Sequence, residues 1–140
     1  MSDDGYEFFE HTADVGLRIL GATLQELFIH AAQGLTALLV EESPVDKTET
    51  RPMQLTAPSV PELLRLWLNE LLFWFNTDRF LFAEATFTTL TATALQAQVA
   101  GERFHPARHA QGTEVKGVTY HQFQVVQTPQ GWHAEIIVDV

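Results

Sequence analysis

The stretch Ser59-Val-Pro-Glu-Leu-Leu-Arg-Leu-Trp-Leu-Asn-Glu-Leu-Leu-Phe-Trp-Phe75 decides the fold class. Ser59 and Glu62 have the spacing of a capping box. In that device the N-cap hydroxyl accepts from the third helical N–H and the carboxylate reaches back, and Pro61 fits the first turn. Leu63, Leu64, Trp67, Leu68, Leu71, Leu72 and Phe75 follow at steps of three and four, which makes one apolar helical face. The helix should stop around Asn76 to Asp78. Arg65, Asn69 and Glu70 interrupt the run, so Leu63 to Phe75 is too short and too polar to span a bilayer, which takes about 20 apolar residues. Phe73 and Trp74 lie off the main stripe. They are expected to cover a sheet edge or meet a partner, and the other apolar residues to form core.

A second helix precedes it. Thr23-Leu-Gln-Glu26 is another capping box, followed on one face by Leu24, Leu27, Phe28, Ala31, Leu35 and Leu38, with an end expected near Val40. Each helical unit follows a short extended run, Val15 to Leu20 and Met53 to Ala57, which leaves open a strand–helix duplication. The remainder reads as strand. Tyr6 to Phe9 and Val15 to Leu20 flank the tight sequence Glu10 to Asp14, and Phe80 to Gly101 is a hairpin turning near Thr91 to Ala94. Glu102 to Thr113, with Pro106 and Gly112, reads as a loop. Val118 to Gln127 and Trp132 to Val140 flank the turn Thr128-Pro-Gln-Gly131. In the last strand Trp132, Ala134, Ile136 and Val138 should face the helices, and His133, Glu135, Ile137 and Asp139 the opposite, wetter side. The expected fold class is α+β, an antiparallel or mixed sheet with the two main helices packed on one side, in a single domain of residues 1–140.

Composition narrows the function. With 46% hydrophobic residues among 140, the chain has enough apolar side chains for a core. It contains no cysteine, which excludes disulfides, thiolate metal sites and thiol nucleophiles. Eighteen acidic against eight basic residues give a formal charge of −10. Such a surface repels a phosphate backbone, so no direct stable nucleic-acid binding is expected, while a basic protein or a cation would be attracted. The first residues carry neither a basic nor an apolar signal region, and an intracellular, cytoplasmic protein with no membrane contact is expected. Gly-rich phosphate loops, His-Glu-x-x-His and Gly-x-Ser-x-Gly are absent. The three serines, Ser2, Ser43 and Ser59, are poor nucleophile candidates: one is terminal, one precedes a proline and one is a cap.

Three polar clusters remain. Glu10-His11-Thr12-Ala13-Asp14 is either a tight turn organised by its own side chains or a site for a hard cation or acid–base chemistry, with Asp14 as oxygen ligand. Asp139-Val140 would place two carboxylates together if Val140 is the natural end. At ~4 Å such a pair repels by about 4 kcal/mol at an effective dielectric of about 20, and it persists by protonation, by cation binding or by full solvation. Pro106 to His121 holds Lys116, one of only two lysines, beside Glu114, Tyr120, His109 and His121. Lys116 either pairs with Glu114 on the surface or meets a phosphate or a partner carboxylate. The histidines at 11, 30, 105, 109, 121 and 133 show no ligand spacing.

Taken in order, Tyr6-Glu-Phe-Phe-Glu-His-Thr-Ala-Asp-Val-Gly16, Thr-Leu-Gln-Glu-Leu-Phe28, Leu-Asn-Glu-Leu-Leu-Phe73, Gly-Thr-Glu-Val-Lys-Gly-Val-Thr-Tyr-His121 and Ile-Val-Asp-Val140 closely resemble the archease family over nearly the whole chain. Phe9 and Gly117 depart mildly from its pattern, and the Thr- and Ala-rich run Phe82 to Ala97 is peculiar to this chain. The resemblance implies an accessory protein, not an enzyme in itself. It implies a partner, an RtcB-type RNA ligase that uses manganese and GTP, and a role in promoting that ligase's guanylylation and repeated turnover in tRNA splicing and RNA repair. It also implies a divalent cation (Ca²⁺, Mn²⁺ or Mg²⁺) held by Asp14 and Asp139 with Val140 nearby, and a further functional position at Lys116. Two other functions fit the residues: a metal-independent chaperone or binding module for an RNA-modifying enzyme, and a stand-alone metal-dependent hydrolase with His11 as base.

Overall fold

The computed structural model describes residues 5–11, 14–41, 43–119 and 123–140. Helix α1 spans Leu24–Leu39 and helix α2 spans Val60–Asp78. The Thr23 hydroxyl accepts from the Glu26 N–H at 3.1 Å, and the Glu26 carboxylate returns to the Ala22 N–H at 3.3 Å, one residue before the expected N–H. Ser59 is the N-cap of α2 by position, but its hydroxyl makes no capping bond, so the second capping box is not formed. Pro61 holds the first turn there instead. The helix ends in a left-handed Arg79, whose N–H bonds Phe75 O at 2.9 Å. Every stripe residue expected on α2 is buried, and the Trp67 indole N–H, fully enclosed, donates to Phe28 O at 2.9 Å. Phe73 is exposed, while Trp74 stacks edge-on against Phe80 with centroids 5.6 Å apart.

Strands β1 (Tyr6–His11), β2 (Asp14–Gly21), β10 (Gly131–Asp139) and β8 (Gly117–Val118) line up in that order, with β9 (Gln124–Thr128) also pairing β10, to form a five-stranded antiparallel sheet. A three-stranded sheet has the order β4 (Glu49–Thr56), β6 (Ala94–Arg103), β5 (Phe80–Leu90). Its edge strand β4 accommodates Pro52, which has no N–H to donate. A short ladder joins β3 (Val40–Glu41) to β7 (Ala110–Gln111). The α+β class therefore holds, with three sheets in place of one. Helix α1 packs on β2 and β5, and α2 on β5 and β8, so both helices fill the space against both larger sheets. Each helix follows an eight-residue strand, but β2 is an interior strand and β4 an edge strand.

Two further expectations change. Val118 to Gln127 is two strands, because β8 ends at Val118 and β9 begins at Gln124. The stretch Glu102 to Thr113 is more ordered than a loop: β6 runs on to Arg103, β7 lies within it, and the Gly112 and Thr113 N–H groups bond Leu39 O and Leu38 O at 2.9 and 2.7 Å. Gly112 is required there, since a Cβ would collide with Leu38 O.

On β10 the inner face is as expected, but the outer face is not uniformly wetter: Ile137, in the cross-strand row of Gly16 and Phe9, is as buried as Ile136 and Val138. Ala134, Ile136 and Val138 join the helical core with Leu17 and Ile19 of β2. The other face of the sheet carries Phe9, Gly16, Arg18, Glu135 and Ile137. The Phe9 ring lies on Gly16 where any Cβ would collide with it, and the Arg18 guanidinium covers that ring at 4.3 Å.

Candidate functional site

Asp14 opens β2 and Asp139 closes β10. The two strands are antiparallel, with Ile137 opposite Gly16 and Val138 opposite Val15. One more step in that register sets Asp139 opposite Asp14, both half-buried and both on the outer face, away from the helices. Directly opposed residues have Cβ atoms about 4.5–5.5 Å apart. On the far side of Asp14, β1 contributes the backbone of His11; on the far side of Asp139, β8 contributes Gly117. The Lys116 N–H donates to Asp139 O at 2.7 Å, which brings Lys116 to the same end of the sheet. Its position is held from behind. Val115 is buried in the core, and the Val118 N–H donates to the Asn69 side chain of α2 at 3.1 Å. The Lys116 side chain is exposed, as is Glu114, and no ion pair joins them. Val140, next to Asp139, is half-buried and packs against the core. Thr12, Ala13, Tyr120 and His121, which the sequence marks with this site, lie outside the described residues.

Among the described residues neither Asp14 nor Asp139 forms an ion pair, and no three His, Asp or Glu side chains come together as a complete metal cage. Two half-buried carboxylates at adjacent strand ends, with no cationic side chain against either among the described residues, are a donor set that suits a hard divalent cation, the remaining oxygens coming from backbone and water. The residues present therefore fit such an ion.

A second polar cluster escaped the sequence reading. Glu102 and His109 are only 2% and 3% exposed. The Glu102 carboxylate accepts from the Asp46 N–H at 2.6 Å, from the Arg108 guanidinium, and from His109 Nε2 at 3.2 Å. His109 Nδ1 accepts from the His105 N–H at 2.8 Å, so the ring carries its proton on Nε2. Burial pushes the Glu102 carboxyl up, but the Asp46 N–H and the Arg108 and His109 contacts outweigh it and hold the group below its usual value. The hydrogen bond to Glu102 raises Arg108 in turn. Every partner in this cluster is internal, and it ties the 43–48 segment and the 105–109 turn to the end of β6. The signal available in sequence was Glu102 followed by Arg108-His109, and nothing in that spacing tells a buried clamp from a surface loop.

His30 is likewise structural. Its Nδ1 meets Leu20 O, and since a carbonyl only accepts, Nδ1 is the protonated nitrogen. No described helix is long and apolar enough to cross a membrane.

Residues 6–140 match the archease protein family (MTH1598/TM1083). A protein archease of Methanosarcina acetivorans is 34% identical over 139 residues, covering 96% of this chain and 95% of that protein. One of Thermococcus kodakarensis is 32% identical over 139 residues, covering 96% and 98%. The solution structure of protein 1598 of Methanobacterium thermoautotrophicum superposes with a TM-score of 0.79 at 30% identity, over 98% of this chain and 99% of that one. A Thermotoga maritima protein, described as an archease and possible chaperone, shares the fold with a TM-score of 0.65 at 18% identity, over 94% of each chain. With the family matched from β1 to the last residue, and relatives of one third identity aligned end to end, this chain belongs to the archease family.

Proposed function

We propose that this protein is an accessory factor of an RtcB-type RNA ligase, promoting the ligase's GTP-dependent guanylylation and its repeated turnover in tRNA splicing and RNA repair. The observation that carries this reading is the meeting of Asp14, Asp139 and the Lys116 backbone at one end of the five-stranded sheet. Asp14, Asp139 and an oxygen of Val140 would hold a divalent cation, Ca²⁺, Mn²⁺ or Mg²⁺. When bound, that ion would supply positive charge against ligase or nucleotide oxygens. The chain's own residues orient the site. The β2–β10 register sets the carboxylates opposite one another, Val115 and Asn69 fix the approach of Lys116, and the Lys116 ammonium reaches outward to a nucleotide phosphate or a ligase carboxylate. The net charge of −10 steers the tip toward a basic RNA-binding partner in the cytoplasm.

The test is a guanylylation assay with purified RtcB-type ligase, GTP and Mn²⁺, with and without this chain. Stimulation of the ligase, with no ligation by this chain alone, is the expected result. Unchanged ligase kinetics would reject the reading and leave the metal-independent chaperone, which needs neither carboxylate nor Lys116. Ligation without the ligase would make the protein an enzyme.

A further inference from the structure

We infer that the groove between the inner face of β1 and helix α1 receives an apolar side chain, flanked by a basic one, from the same ligase that the tip engages. This rests on the function proposed above.

The groove encloses 870 Å³ and is open to solvent. Tyr6 and Phe8 form one wall, Ala37 of α1 the other, and Phe82 of β5 lines it as well. Phe8 faces the helical side of its strand, yet it is 43% exposed. Its ring lies 5.7 Å from that of Tyr6. The groove is mixed, with Gln33, Thr36 and Ser43 beside these apolar side chains, and a large aromatic left open in such a concavity has the character of an anchor pocket at an interface.

Area and distance then point to the occupant. A specific interface covers about 800 Å² on each partner, from some 20–30 residues, a footprint of roughly 16 Å radius. Asp14, Asp139 and Lys116 alone fall far short of it. Phe8 precedes His11, the backbone neighbour of Asp14, by three residues, or about 10 Å of strand. Thr113, which also lines the groove, precedes Lys116 by the same number of residues. The tip carboxylates face the outer side of the sheet and the groove its inner side, so a footprint centred on the tip reaches the groove by wrapping round the edge strand β1.

Charge selects the kind of partner. Among the described residues the one charged side chain lining the groove is the exposed Glu41. A second copy of this chain would bring acid against acid under a net charge of −10 on each side. A basic RNA-binding protein brings the complement.

The experiment measures the affinity of the full chain for the purified ligase by calorimetry, alongside stimulation of guanylylation. Ala37→Glu places a carboxylate in the half-buried wall and should weaken binding at least 10-fold with an unchanged circular dichroism spectrum. Phe8→Ala removes an already exposed ring and should weaken it at least 5-fold; it decides the matter if Ala37→Glu misfolds. Gln98→Glu, on the exposed face of β6, should bind as wild type. Wild-type binding by both groove variants, with stimulation intact, overturns the groove while leaving the proposed function standing. A wild-type chain that neither binds nor stimulates the ligase removes both. Self-association of the wild type that Ala37→Glu abolishes, seen by sedimentation, assigns the groove to a second copy and overturns the proposal.

Discussion

Two rows of side chains cross the outer face of the same sheet, about 13 Å apart along β2, and they treat charge in opposite ways. In one row Arg18 stands between Glu7 and Glu135, at 3.3 and 3.5 Å, with its guanidinium stacked on Phe9. Negative, positive and negative charges alternate across three strands, and the row is complete. In the other, Asp14 and Asp139 stand one step beyond the Val15–Val138 pair, and among the described residues no cationic side chain pairs with either. Like charges directly opposite destabilise a ladder, so this row carries a cost that the neighbouring row avoids. The buried Glu102 makes the same point more strongly, since burial there is matched by three donors. Polar residues are spread over the whole molecule. What separates the tip from the rest is that no described side chain satisfies its charges.

The sharpest way to break this contrast is at Lys116. Lys116→Ala should leave stability within about 0.5 kcal/mol, because the ammonium is exposed and its backbone contact survives. Losing a desolvated charge contact at the ligase interface should cost about 2–5 kcal/mol, roughly 30- to 5,000-fold in stimulated guanylylation. Stimulation at the wild-type level would remove Lys116 from the mechanism.

Glu102→Ala tests the opposite pole. It orphans the buried His109 Nε2–H and the Asp46 N–H, and unfolding in urea should show a loss of about 3 kcal/mol. The pH dependence has a definite sign. The Glu102 carboxyl lies below its usual value in the folded protein, so its contribution is present above the unfolded carboxylate value of about 4.3 and is lost as pH falls through the folded value. Asp78, lowered chiefly by its hydrogen bond to Arg51, acts in the same direction. Wild-type stability should therefore fall in acid, and Glu102→Ala should fall less. Equal acid slopes in the two proteins would show that the clamp contributes nothing to them.

Cation binding separates the two rows directly. A divalent ion at 100 times its dissociation constant should stabilise the wild type by about 2.7 kcal/mol, read as a rise in melting temperature. Asp14→Asn should abolish that rise, while a change in the Arg18 row should not.

The smallest effects invert the rows. Arg18→Met leaves Glu7 and Glu135 without their shared cation. All three side chains are about one third exposed, so the screened cost should be near 0.5 kcal/mol. Asp139→Asn in cation-free buffer should do the reverse and add about 0.2–1 kcal/mol, seen as a higher urea midpoint at constant slope. A loss of stability in Asp139→Asn would mean that the carboxylate has a structural partner within the chain.

Much of the scaffold was legible in the linear order, because its signals are local. Apolar residues at steps of three and four placed both helices to within about a residue, and alternation along Trp132 to Val138 assigned the inner face of β10. Motifs resembling the archease family named Asp14, Asp139 and Lys116. Where local signals were incomplete, the sequence misled. Ser59 had the spacing of a capping box without its hydrogen bond, and Glu102 to Thr113 looked like a loop because Pro106 and Gly112 mark turns whether a segment is exposed or buried. Only the tertiary structure decided what faces what. Asp14 and Asp139 come from opposite ends of the chain and meet through the register of an antiparallel ladder, which no local spacing encodes. Glu102 and His109 become a clamp only once β3, β6 and the 43–48 segment close over them. Burial and cross-strand register depend on contacts distant in sequence, and those two quantities separate a polar group satisfied within the fold from one with no partner among the described residues.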